Sequence, residues 1–212
     1  MRALDDQVRA GKILYVGVSA TPAWIVSQAN TLAALRGWTP FIGLQVEYSL
    51  VARDVERELL PMARAFGLAV TPWSPLGGGI LSGKYNTHRA EGGRLANQTD
   101  AHTLSMVDGL LRVVEEVGHS PAQVALAWLR AQPGTIIPII GSRRVEQFQD
   151  NLGCVDVQLT NDHIQRLSAL NQPSLGFPHD LLASPSLRKL IHSETFDQID
   201  LSNRPNVTSG NA

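Results

Sequence analysis

The sequence predicts an α/β fold built on a parallel sheet, and three observations carry that prediction. Short, nearly all-apolar runs bounded by Gly, Pro or Ser recur at residues 13–19 (ILYVGVS), 41–46 (FIGLQV), 68–71 (LAVT) and 135–140 (TIIPII). Segments with helical patterning and recognisable start and stop residues lie between them. The runs lack a clean polar–apolar alternation, which suits strands buried on both faces and joined by crossover helices.

Each element has a local justification. The first helix is expected over 22–35, behind Thr21 and with Pro22 at its first position. The second is expected over 51–66, stopping before Gly67. Further helices are expected over 104–117 and 120–130, the latter opened by Ser120 as cap and Pro121 next. After the last apolar run, 145–152 reads as a short helix behind Ser142, and Thr160 or Asn161 caps a helix over 162–170. From Gln172 onward the pattern is loop-like, and 203–212 reads as disordered. Four strand–helix units fit an open doubly wound sheet or part of a (β/α)8 barrel, and composition does not separate the two.

The bulk chemistry excludes several function classes. The 212 residues are 43% hydrophobic and 17% charged, with a formal net charge of −1, so nothing draws the chain globally to nucleic acid or an anionic membrane. A single cysteine, Cys154, rules out an internal disulfide framework and suits a reducing, cytoplasmic setting. Residues 1–12 are charged throughout and do not read as a secretory signal. The chargeless run 66–83 is broken by Pro72, Pro75 and five glycines and is not a membrane span. The six histidines fall at no metal-ligand spacing from one another or from Cys154.

Two motifs imitate known sites and fail on chemistry. From Gly78 the chain reads G-x-x-x-x-G-K, ending at Lys84, but Tyr85 stands where a phosphate loop needs a compact hydroxyl for Mg²⁺. "GVSAT" at 17–21 lacks the second glycine of a nucleophile elbow, so Ser19 reads as a polar strand-end residue facing a ligand. Gln45 and Glu47 follow the second run, as ligand contacts or as ordinary strand-end polarity. Trp73 and Ser74 end the third run, where the ring either packs in the core or stacks on a planar ligand beside an open glycine loop. "GSRRVEQFQDN" at 141–151 leads from a strand into a helix. That pattern favours an anion through free N–H groups and two guanidinium forks at Arg143 and Arg144, with Gln147 and Asn151 on one helix face.

Taken together these stretches resemble the aldo-keto reductases, NADPH-dependent (β/α)8 barrels. "VRAGKILYVGVSATPAW" is similar to that family's fifth strand region, "QVEYSL" to its sixth, "GLAVTPWSPLGGGILSGKY" to its seventh and "IIPIIGSRRVEQFQDNLG" to its eighth. "GFPHDLL" resembles its C-terminal loop. The resemblance implies the C-terminal half of a (β/α)8 barrel over residues 1–182, followed by a tail over 183–212. It implies NADPH/NADP as cofactor. Ser19 and Gln45 would hold the nicotinamide carboxamide and Trp73 would stack on its ring. Ser74, Pro75, Leu76 and Gly78 would line the pyrophosphate path, with Lys84 adding charge. Ser142 and Arg143 would take the 2′-phosphate, and Gln147, Asp150 and Asn151 would flank adenine. Ala20 departs from the family pattern, which commonly has a polar side chain beside the carboxamide.

The family's catalytic Asp, Tyr, Lys and His come from strands one to four, so no catalytic residue is expected in this chain. The expectation is a truncated reductase that converts aldehydes and ketones to alcohols when its barrel is complete, or else an inactive NADP(H)-binding or scaffolding half-barrel. Four strands of a closed barrel leave two free edges, so a second copy or a separate N-terminal half is the expected partner.

Overall fold

The computed structural model describes residues 1–83, 100–193 and 195–199. Strands β1 (Val16–Ser19), β2 (Phe41–Glu47) and β3 (Ala69–Trp73) lie parallel in sequence order, joined by helices α2 (Ala23–Arg36) and α3 (Leu59–Ala65). Residues 135–139 run alongside β3, with Val70 N–H donating to the Thr135 carbonyl and Ile137 and Ile139 N–H donating to the Val70 and Pro72 carbonyls. Only the Val70–Ile136 pair forms a bridge there, so the fourth expected strand is a paired extended segment. Pro72 explains the gap: without an N–H it cannot make the next rung back to this segment.

The expectation that the strands are buried on both faces is corrected by the structure. Leu44, Val46 and Val70 are buried, whereas Gln45, Glu47 and Trp73, which alternate with them, are exposed. The buried set packs on Val26, Leu60, Met62, Leu110, Val124, Trp128 and Leu129 from the helices. In-register pairing assembles the other set into rows across an uncovered face: Gly17, Gly43 and Ala69, then Ser19, Gln45 and Thr71, then Glu47 and Trp73.

Three further differences have local causes. A charged helix, α1 (Arg2–Arg9), precedes β1; its buried Asp5 accepts from the Thr39 N–H and hydroxyl and from Arg9, tying it to the start of β2. The helix expected over 51–66 is only α3, preceded by a single 3₁₀ turn, Asp54–Glu56. Pro61 is tolerated within the first turn of a helix but not in its interior, which places the start near Leu59. Within 172–192, expected as loop, lie two short helices, α8 (His179–Ala183) and α9 (Pro185–His192), the second capped by Ser184. By contrast α4 (Ala101–Val117), α5 (Pro121–Arg130), α6 (Val145–Leu152) and α7 (Asn161–Ala169) fall within a few residues of expectation. Ser120 with Gln123, and Thr160 with His163, form reciprocal caps. The tail segment 203–212 lies outside the described residues.

One buried polar knot fixes the chain after β2. The Tyr48 hydroxyl donates to Glu56 at 2.9 Å, and Arg53 donates to both Glu56 oxygens at 2.7 and 2.9 Å. Arg53 also donates to the Ser168 carbonyl and lies 5.3 Å over the Trp128 ring, whose N–H donates to the Ser168 hydroxyl at 3.0 Å. Burial and the Glu56 carboxylate push the Tyr48 phenol far above its usual range. The knot joins the β2 exit to α5 and α7. Glu56→Ala leaves Arg53 buried without its carboxylate and is expected to cost about 2–4 kcal/mol in urea unfolding. Tyr48→Phe removes one hydrogen bond and is expected to cost about 1 kcal/mol.

Candidate functional site

The site is built at the carboxyl ends of the parallel strands, where the uncovered face meets the strand-to-helix loops. Ser19 ends β1 and is the in-register neighbour of Gln45 in β2, which in turn neighbours Thr71 in β3. Two side chains able to donate and accept thus stand side by side, both exposed. Trp73 ends β3 one row higher and leaves 42% of its surface open, so the structure favours a ring presented at the face over a core-packed one.

The loop after β3 holds backbone conformations that L-residues rarely adopt. Ser74 has φ +50°, and Gly77, Gly78 and Gly79 have φ +56°, +64° and +95°. Ala20, just past Ser19, has φ +48°. Pro75 is buried, Leu76 packs against the core, and Gly78 is exposed. Lys84, expected to add charge here, lies outside the described residues, as does Tyr85.

The third part is the start of α6. Arg144 occupies the N-cap without a side-chain cap, so first-turn N–H groups remain for a ligand. Ser142, Arg143 and Arg144 are exposed, and neither guanidinium pairs with a carboxylate among the described residues. Gln147 folds back to accept from the Arg143 N–H at 3.3 Å. Asn151 is buried and donates to the Ser142 hydroxyl at 3.5 Å. Asp150 accepts from Ser120 at 2.9 Å and from the Gln123 amide at 3.1 Å, so it anchors α6 to the cap of α5.

Tyr48 is buried and bound to Glu56, and Tyr15 is exposed before β1. No group of three or more His, Cys, Asp or Glu among the described residues could hold a metal ion, and no described helix is long and apolar enough to cross a membrane. Cys154 is free and buried, and desolvation pushes its thiol above the usual range.

A parallel β/α sheet with exposed polar groups at the carboxyl ends of its strands suits the sites of both β/α barrels and open α/β sheets, and comparison with known proteins gives the family. The Aldo/keto reductase family model matches residues 1–172, and the chain belongs to that family. It is 36% identical over 206 residues to "Aryl-alcohol dehydrogenase [NADP(+)]" of Phanerodontia chrysosporium, covering 91% of this chain and 52% of that one. It is 37% identical to the aldo-keto reductase ausK of Aspergillus calidoustus (86% and 48% covered) and 38% identical to the uncharacterized oxidoreductase YrpG of Bacillus subtilis (78% and 51% covered). The chain spans about half the length of these relatives. The three-stranded parallel sheet with its helices is consistent with part of a (β/α)8 barrel.

Sequence reasoning did not single out Thr71, which completes the Ser19–Gln45 row; only the register reveals it. Nor did it foresee that Gly77 is held against Val51. A Cβ at Gly77 would sit 2.6 Å from the Val51 Cγ2 carbon, at a positive φ. Gly77→Ala is therefore expected to lose about 1–3 kcal/mol in urea unfolding. Gly118→Ala, equally left-handed but facing open space, is expected to lose less. Equal losses would show that the Val51 contact contributes nothing.

Proposed function

We propose that this face is an NADP(H) cradle and that the chain serves an oxidoreductase reducing aldehydes and ketones to alcohols. The observation that carries the reading is the placement of three features at the carboxyl ends of neighbouring parallel segments: the Ser19–Gln45 row, the open Trp73 ring with its left-handed loop, and the uncapped α6 start preceded by Arg143. Their chemistry fits the group. Ser19 and Gln45 offer a donor and an acceptor to a carboxamide. Trp73 offers a flat apolar surface to a ring. Ser74, Pro75, Leu76 and Gly78 leave an open backbone path for a pyrophosphate, and Lys84 would add charge beside it. Ser142 and Arg143 offer a hydroxyl and a two-toothed cation to a phosphate monoester. Gln147, Asp150 and Asn151 form the helix face beside adenine, Asp150 by holding that face in place. When bound, NADPH supplies the hydride. The chain's own residues bind and orient it.

The uncovered face requires a covering layer, since a closed barrel interior is packed with side chains. We propose that the cover is a β/α half with larger inward side chains, which then places the proton donor opposite Gln45 and Trp73. A second copy fits less well, because Gly17, Gly43 and Ala69 would face a row as empty as their own. The rival reading, an NADP(H)-binding or scaffolding half-barrel without turnover, rests on the two described tyrosines, neither of which has a lysine partner. The free, buried Cys154 suits a cytoplasmic setting.

Fluorescence titration with NADPH tests the cofactor reading. Arg143→Ala is expected to weaken NADPH by about 1.5–3 kcal/mol, about ten- to a hundred-fold, while leaving NADH nearly unchanged. An equal loss for both would count against a 2′-phosphate contact. Binding with no aldehyde reduction would favour the rival reading.

A further inference from the structure

Glu47 is the one charged side chain in the rows of the uncovered face, and the cofactor reading above gives it no role. It ends β2 in register with Trp73, which ends β3. Both are exposed and on the same face, because Gln45 and Glu47 alternate with the buried Leu44 and Val46. Glu47 makes no hydrogen bond or ion pair among the described residues. Neighbouring parallel strands lie about 4.8 Å apart, so a ring stacked on Trp73 has this carboxylate at its edge.

Resting on that cofactor reading, we propose that Glu47 sets the balance between oxidised and reduced cofactor, favouring the cationic pyridinium ring of NADP⁺ over the neutral dihydropyridine of NADPH. The two forms share every other group, and the ring charge is the difference a carboxylate reads. Its attraction for the pyridinium grows when the face is covered and water is displaced. Glu47 is thus a specificity-determining residue for redox state, and it touches no bond that forms or breaks.

The test is calorimetric titration of the wild-type chain and Glu47→Gln with NADP⁺ and with NADPH, at low and high salt. The substitution keeps shape and removes charge. The expected result is NADP⁺ binding weakened about three- to tenfold, NADPH binding unchanged or slightly tighter, and a difference that shrinks as salt rises. Glu47→Asp is expected to retain most of the preference. Unfolding curves that overlay for wild type and Glu47→Gln would exclude a general loss of structure. An equal change for both forms, or none for either, overturns this role while leaving the cradle standing. Failure of the wild-type chain to bind either form overturns both.

Discussion

The rest of the structure depends on one constraint, the parallel register of adjacent strands covered by helices on a single face. Side chains alternate strictly along a strand, so burying Leu44, Val46 and Val70 obliges Gln45, Glu47, Thr71 and Trp73 to face the other way. A slip of one residue in β2 would turn Gln45 into the helix layer and Leu44 out to the ligand face. The same hydrophobic packing that stabilises the sheet therefore aims the candidate cofactor contacts. The Tyr48–Glu56–Arg53 knot secures this arrangement just past Glu47, where the chain leaves β2 and a frayed exit would loosen the last row.

The proposed phosphate end of the site is held by a different means. The start of α6 is exposed, with Arg143 and Arg144 just before its first turn and Glu146 within it, and nothing in its own sequence buries it deeply. Its position comes from Asp150 and Asn151 near its other end. Asp150 ties it to the Ser120–Gln123 cap, and Gly153 lies so close to the Gln123 amide that a larger side chain has no room. The capping box of α5 thus does two things, satisfying its own helix start and fixing the helix that presents Arg143. Rigid supports of this kind favour binding, because less order has to be imposed when the ligand arrives.

Much of this was legible in the sequence, for physical reasons that can be named. Apolar runs of strand length and strong punctuation located the strands. Ser120 with Pro121, and Thr160, announced their helices, because caps act within four residues. Family motifs pointed to Ser19, Gln45, Trp73 and Arg143, all of which lie at strand carboxyl ends or a helix start. The failures were tertiary. Both-face burial was inferred from continuous hydrophobicity, yet the opposite face is held by Gly17, Gly43 and Ala69, which read as apolar while covering nothing. Pro61 carried the true start of α3 but was outweighed by the surrounding helix formers. Helix α1 was hidden by its charges, since it is held by the single buried Asp5 and not by an apolar stripe. The partnership of Thr71 with Gln45 needed the register, which no local pattern specifies.

The central claim is that four separated segments act as one NADP(H) cradle. Amide hydrogen exchange with and without NADPH tests it most directly. The account predicts slowed exchange confined to residues 17–20, 43–47, 71–79 and 141–147, with α7 and α9 unchanged. Protection at none of these segments, or protection only at α8 and α9, would contradict it.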